Sequence, residues 1–319
     1  MKILVTGGAG FIGSNLTDNL ISQGHMVAVI DNYTTGRKDN LIPNPNLIII
    51  EDTITNMRVV HTLFNQFRPE VVVHAAASYK NPDDWTEDAN TNILGSINVV
   101  KASIEFKVER LIYFQTSLCY GVRPLEQPIT LNHPLFSGGY SGKSSYAISK
   151  TAAEQYIELS GLDFISFRLA NAYGPRNISG PIPVFYSRLT QGKKCYVVDT
   201  RRDFIFIDDL IEVVCKAIYG KGKRGYYHIS TGKDFAIKEV YDCIVDALNL
   251  PQRLKDEVVI RPRGEDDAPS ILLDPSKTQE DFDWTATTSL DVGIRKAIEY
   301  YKLYGVTDTY THLKISEDK

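Results

Sequence analysis

The sequence is poor in the features that mark metal sites, disulfide scaffolds, membrane spans and nucleic-acid surfaces. It has four cysteines in 319 residues, Cys119, Cys195, Cys215 and Cys243, and no two form a CxxC pair. Zinc ribbons and stapled secreted folds are thereby excluded, no metal site is expected, and the thiols read as reduced. No apolar run approaches the roughly 18–20 residues that a membrane helix needs. No basic segment leading into an apolar stretch opens the chain, so no signal peptide is expected and the location reads as cytoplasmic. Charge is balanced, with 35 Lys and Arg against 39 Asp and Glu, a net −4. That argues against nucleic acid or an anionic membrane as the main partner. Internal repeats, low-complexity tracts and long linkers are also missing.

What is present is an ordinary composition, 43% hydrophobic and 23% charged, ample for a large core. Strand-like runs fall at 3–6, 26–30, 47–50, 71–74, 110–115 and 164–167. Helical patterns lie near 11–23, 56–67, 92–106 and 145–160. Strands alternating with helices predict an α/β fold, a doubly wound parallel sheet of the Rossmann type. The runs VVVHAAA and LIIIED read as fully buried strands. After Gly174-Pro175 the pattern loosens, with helical patterns near 182–192, 208–219, 236–248 and 291–303 and strand-like pieces at 195–198 and 226–230. The expected division is a dinucleotide-binding domain over 1–174, with returns from about 194–230. A smaller mixed α/β substrate domain would occupy 175–319. His74 and His228 sit in strand patterns and read as packed core residues rather than ligands.

The first strand-like run collides with Gly7-Gly8-Ala9-Gly10-Phe11-Ile12-Gly13 and then a helix. A strand, a GxxGxxG turn and a helix form a dinucleotide fingerprint. Gly7 permits the tight turn, Gly10 lets the backbone close on a pyrophosphate, and Gly13 lets helix pack on strand. Free N–H groups at the helix start, those of Phe11 and Ile12 among them, favour an anion. The next strand ends in Asp31-Asn32, and a carboxylate there accepts ribose hydroxyls and repels a 2′-phosphate, which favours NAD over NADP. Arg37 and Lys38 follow closely and could soften that preference.

Residues 144–150 read SSYAISK. On a helix capped by the serines, Tyr146 and Lys150 share one face. A phenol is a poor base at neutral pH, and a nearby ammonium together with a positive nicotinamide ring favours the phenolate. Taken with HAAAS at 74–78, QTSLCYG at 115–121 and FRLANAYGPRN at 167–177, these motifs resemble the extended short-chain dehydrogenase/reductases that act on nucleotide sugars. Within that family the chain looks most like UDP-galactose 4-epimerase-type enzymes, in particular the sugar epimerases of bacterial O-antigen and surface-polysaccharide clusters.

The resemblance implies roles. Thr116 matches the hydroxyl that hydrogen-bonds the reacting sugar oxygen, Tyr146 the base, and Lys150 the residue on the nicotinamide ribose. Asn171 and Arg202 match contacts to the substrate diphosphate. Arg263 matches a second phosphate arginine, and Asp266 or Asp267 a partner of the uridine ribose. Ala75, Ala76 and Ala77 match the cofactor-lining HAA segment. One departure concerns the adenine contact, where the family's aspartate slot holds Thr53, with Asp52 one place earlier. A second is the long Pro/Gly/Ser-rich loop 122–145, which reads equally as a lid and as a surface excursion. The dehydratases of the family carry an Asp-Glu pair after the threonine and the decarboxylases a Glu, whereas Ser117 and Leu118 stand here. Without that acid, hydride transfer alone fits, and the expected activity is NAD-dependent 4-epimerisation of a nucleotide sugar, UDP-linked by preference. A one-way 4-ketoreductase is the nearest rival. The helices at 92–106 and 145–160 resemble the pair that forms the family's dimer, so a homodimer is expected.

Overall fold

Six apolar runs of the first half form neighbouring parallel strands in the structure, a computed structural model that describes residues 1–136, 144–264 and 267–310. They are β1 (Lys2–Thr6), β2 (Met26–Asp31), β3 (Leu47–Glu51), β4 (Val71–His74), β5 (Arg110–Thr116) and β6 (Phe164–Leu169). Between them run α1 (Phe11–Ser22), α2 (Met57–Phe67), α3 (Trp85–Asp88), α4 (Ser96–Glu105) and α5 (Ser145–Leu159). A π-helical stretch over Ala89–Gly95 joins α3 to α4. The second half contributes β7 (Asn171–Tyr173), α6 (Pro181–Thr190), β8 (Tyr196–Val198), β9 (Arg201–Phe206), α7 (Ile207–Ile218) and β10 (Gly225–Ile229). It ends with β11 (Asp234–Ala236), α8 (Ile237–Ala247), α9 (Arg253–Asp256), β12 (Val259–Arg261), β13 (Ser270–Ile271), α10 (Ser276–Phe282) and α11 (Leu290–Tyr304).

The main sheet has seven strands in the order β3-β2-β1-β4-β5-β6-β10, and every pairing is parallel. Strand alternation sorts its apolar residues onto two faces. Ile3 and Val5 join one core with Leu16 of α1 and Val213 of α7, while Leu4 joins the other with Phe64 of α2, Val99 of α4 and Ile157 of α5. Successive connections from β1 run outward in both directions, so a crevice opens between β1 and β4 at their carboxyl ends. That switch point is where open α/β sheets take ligands. β10 returns late in the chain to pair with β6, and α7 packs on α1.

One strand departs from expectation. β3 was expected to be fully buried, but it is the sheet's edge strand, paired only with β2. Ile48 and Ile49 are 40% and 38% exposed. An apolar run signals a strand, yet nothing in it says whether a second neighbour will arrive. The second half also holds strands that its short, charged segments concealed. β9 begins on two arginines, and it pairs with β7, β11 and β13 to form a small second sheet, while β8 and β12 form a ribbon. Among the described residues, no helix is long and apolar enough to cross a membrane, and all four cysteines are free.

α5 is held in place at its start and at its middle. Its cap is Ser144, whose hydroxyl accepts the Ala147 N–H at 3.2 Å. Its middle is tied to the sheet by Glu154, which receives Arg168 of β6 through two bonds of 2.8 and 3.2 Å and Ser166 at 2.5 Å. Both charged side chains are at least 95% enclosed. Arg168 also donates to the Tyr120 hydroxyl at 2.9 Å, which lies 2.6 Å from His228 Nε2. Burial keeps His228 neutral, with its pKa pushed down to about 4. Removing one member of a buried pair strands the other charge. Glu154→Gln or Arg168→Met alone is therefore expected to cost about 3–5 kcal/mol in urea unfolding, with much of the loss recovered when both become apolar.

Candidate active site

The crevice at the switch point is floored by the glycine turn. Gly7 has φ +68°, and a Cβ there would lie 2.7 Å from the Ala76 backbone. A Cβ on Gly13 would lie 2.2 Å from the Gly7 carbonyl oxygen. These two positions accept no side chain. Gly10 differs: its Cβ would meet only the Gly7 oxygen, at 3.3 Å, so its bareness leaves open space beside the first turn of α1. Such a bare turn at a helix N-terminus fits a pyrophosphate.

Asp31, at the end of β2, is buried and accepts the Ala9 N–H at 2.9 Å and the Tyr33 N–H at 2.8 Å. Desolvation nevertheless raises its pKa. Its carboxylate thus ties the glycine turn to the ribose end of the crevice. Asn40 adds a second tie through its amide to the Ala9 carbonyl at 2.9 Å. The two cations that could have welcomed a 2′-phosphate are already engaged. Arg37 pairs with Asp39 at 2.5 Å and Lys38 with Glu51 at 2.7 Å. Asn32, Asp52 and Thr53 line the same end. Asp52 accepts the Thr53 N–H at 2.7 Å and the Asn56 amide at 3.2 Å, so its carboxylate shapes this turn.

At the opposite end, Ala75, Ala76 and Ala77 form one wall, and Tyr146 and Lys150 project from α5 into the same space. Lys150 is 2% exposed, and its ammonium lies 4.0 Å from the centre of the Tyr113 ring. Burial pushes its pKa down to about 7, against a smaller upward pull from Glu154. The Tyr146 phenol moves the other way, raised by burial, then by Tyr79 and Asp88. The expected lowering of the phenol by Lys150 is therefore not a property of the protein alone. The low-dielectric pocket opposes both charges. His74, behind the wall, is held neutral between Thr6 and Ser96 at 2.7 and 2.8 Å, its pKa pushed down to about 3 by burial and then Lys150.

The residues singled out for substrate are not among those that line this crevice, though Thr116 directly follows Gln115, which does. Thr116 ends β5, and its hydroxyl accepts the Leu118 N–H at 3.2 Å, which leaves its own proton to donate. Asn171 lies on β7, opposite Phe204 of β9. Arg202 is held by Asp267 and by the Ala268 carbonyl, the latter at 2.8 Å. Its guanidinium is largely buried, and desolvation lowers its pKa against the pull of Asp267. Arg263 is exposed. Asp266 and residues 137–143 of the long loop lie outside the described residues.

Three crevice residues carried no assigned role in the sequence. Arg176 sits in the YGPRN motif with φ +69°; its Nη2 is held by Asp18 at 2.6 Å, while Nη1 is buried without a partner. Tyr79 follows the alanine wall, and its ring lies 5.7 Å from that of Tyr146. Tyr310 comes from a segment with no periodicity to betray it. A buried guanidinium nitrogen lacking an acceptor beside a bare glycine turn suits a diphosphate.

The lowered pKa of Lys150 has a cost that can be read. Between about 7 and the ordinary 10.5, the folded chain binds fewer protons than the unfolded one, so stability falls as pH drops through that window and the penalty is complete below it. Lys150→Met is expected to raise the melting temperature of the NAD-free protein at about pH 6, with the gain vanishing by about pH 10.5. Thermal scans across that range check it.

The comparisons with known proteins agree with this geometry. Residues 3–229 match the model of the NAD dependent epimerase/dehydratase family. The enzyme WbmH of Bordetella bronchiseptica, solved in complex with NAD+, is 49% identical, with a TM-score of 0.91 over 96% of this chain and 99% of that one. WbmG of the same organism, solved with NAD and UDP, is 44% identical, with a TM-score of 0.89 over 98% of each chain. The UDP-glucose 4-epimerase of Mycolicibacterium smegmatis is 29% identical over 95% of this chain and 99% of its own length. A family match over residues 3–229, together with a glycine turn and a Tyr-Lys pair in one crevice, places the chain in the NAD dependent epimerase/dehydratase family, to which it belongs.

Proposed function

We propose that this protein is an NAD-dependent UDP-sugar 4-epimerase. The observation that carries the reading is that Tyr146 and Lys150 face the dinucleotide crevice while the turn after Thr116, Ser117–Tyr120, holds no carboxylate. Bound NAD supplies a hydride acceptor that later becomes the donor. The Tyr146 oxygen takes the proton of the sugar 4-hydroxyl and returns it after the sugar has turned over. Thr116 donates its remaining proton to the same sugar oxygen. Lys150 contacts the nicotinamide ribose, and its ammonium opposes the rise that burial imposes on the phenol. Leu118 exchanges no proton, so elimination has no acid in that turn.

The substrate residues belong to the same reading. Arg202, Arg263 and Asn171 take the diphosphate, and Asp266 the uridine ribose. The permanent charge of a planar guanidinium suits that task. The UDP class draws support from WbmG, solved with NAD and UDP. Residues 1–174 hold the dinucleotide together with the returning α7 and β10, and the rest of the chain serves mainly the sugar nucleotide. A cytoplasmic location and a part in surface-polysaccharide assembly complete the proposal; free thiols suit the first, and the motif resemblance carries the second.

A homodimer through 92–106 and 145–160 is also proposed. Leu94, Ile104, Ile148, Tyr156 and Leu159 on these helices are 44–79% exposed, an apolar load that a second copy would cover. Sedimentation is expected to give twice the chain mass; a monomer at micromolar concentration contradicts it.

Incubation with a panel of UDP-, GDP-, CDP- and dTDP-sugars, read by the C4-proton coupling in NMR, tests the activity. Epimerisation is expected without added or consumed cofactor. Tyr146→Phe should lower kcat by about 10²-fold or more while retaining NAD. Stoichiometric consumption of NADH would mark a ketoreductase, and a 4-keto-6-deoxy product or CO2 would mark elimination or decarboxylation.

A further inference from the structure

Two polar side chains of β5 meet the catalytic helix at one point. Tyr113 and Gln115 stand two apart on the strand, so both leave it on the same face. Both are buried. They converge on a single acceptor, the Lys150 main-chain carbonyl: the Tyr113 hydroxyl donates to it at 3.0 Å and the Gln115 amide at 3.1 Å. Burial raises the Tyr113 pKa, so the phenol keeps its proton and remains a donor. The other end of Gln115 accepts the Thr116 N–H at 2.8 Å. One amide therefore joins the main chain of the threonine that ends β5 to the main chain of the lysine on α5.

Tyr113 also reaches the far end of the same lysine. The Lys150 ammonium lies over its ring, 4.0 Å from the centre. The face of an aromatic ring is electron-rich and attracts a cation most where water is excluded. The carboxylate one turn on, Glu154, is taken up by Arg168 of β6. On the other elements around α5 stand His74 of β4, held neutral, Cys119 after β5, its thiol pushed up by burial, and Asp88 of α3, which bears on Tyr146. Lys101 and Glu105 of α4 are exposed. The Tyr113 face thus adds to the modest pull of Glu154 against the desolvation of the ammonium.

We infer that Tyr113 and Gln115 are positioning residues of the reaction: their two bonds to the Lys150 carbonyl set where the lysine stands relative to Thr116, and the Tyr113 ring holds its ammonium. The kinetic consequence rests on the epimerase reading, while the hold on the ammonium does not. The inference gives a reason for two long polar side chains, both fully enclosed, on one face of a strand inside the main sheet.

The ammonium is read directly by NMR titration of the Lys150 side chain in the NAD-free protein. Tyr113→Met, which fills the space without a ring, should move the titration midpoint down by about 0.5–1 in pH, and Tyr113→Phe, which keeps the ring, should leave it in place. A fluorinated phenylalanine installed at Tyr113 keeps the ring's shape and drains its face, and should give the Met result even where the Met variant fails to fold. Equal midpoints in the wild type, the Phe variant and the fluorinated variant would overturn the hold on the ammonium. In turnover of a UDP-sugar, Gln115→Met combined with Tyr113→Phe should lower kcat about tenfold or more, with KM within about twofold, as misplacement of a reacting group implies. Tyr304→Ala, exposed on α11, should change neither. Wild-type kcat in the double variant would overturn the positioning role and leave the epimerase reading standing. A wild-type chain that turns over no sugar nucleotide would overturn that reading and the kinetic role with it, while the titration still decides the contact.

Discussion

The Gly7 carbonyl and the bare α-carbon of Gly13 occupy space that a single methyl group would fill. That contact fixes how closely α1 can approach the end of β1, and so where the free N–H groups of its first turn point. The rest of the crevice is arranged around it. Asp31 and Asn40 both reach back to Ala9 within the turn, one to its N–H and the other to its carbonyl. The β4 wall comes so close that Ala76 touches the space above Gly7. A phosphate cradle made of backbone has no side chains to adjust, so its shape is set by what packs behind it.

At the other end the same enclosure acts on charge. Burial around Tyr146 and Lys150 disfavours both a phenolate and an ammonium. The protein answers with structure rather than with a strong local ion pair. Glu154 lies one turn from Lys150 but is committed to Arg168, so its pull on the lysine is modest. On the function proposed above, the Tyr-Lys pair stays chemically quiet until a cofactor completes the field. An enzyme that must oxidise and reduce in turn gains from a base that is weak when the site is empty.

The main sheet was legible because its strands are buried on both faces and alternate with amphipathic helices, so each run of Val and Ile announces itself. β3 kept the composition of a buried strand and lies at an edge, since neighbours are a property of the whole sheet. The cofactor end was legible for a related reason: the turn, Asp31, the alanine wall and the Tyr-Lys pair lie on contiguous motifs. β9, β11 and β13 were not, because two- to six-residue strands with charged ends carry too few residues for a period. Arg202 shows the same limit: its partner Asp267 is 65 positions away, and only the fold of the second sheet joins them. Tyr310 left no local trace, since its place depends on a return path that no spacing encodes.

Asp31 has one further consequence. The carboxylate that we propose discriminates between the two nicotinamide coenzymes also fastens the phosphate turn, through the Ala9 N–H, and its own following turn, through the Tyr33 N–H. Selectivity and scaffolding are vested in the same two oxygens. Exchanging this side chain for a smaller or basic one to admit the phosphorylated coenzyme would slacken the loop that must grip either molecule. Drift between coenzymes in this lineage therefore demands that a substitute anchor for Ala9 arise first, which makes the present preference hard to reverse by single steps.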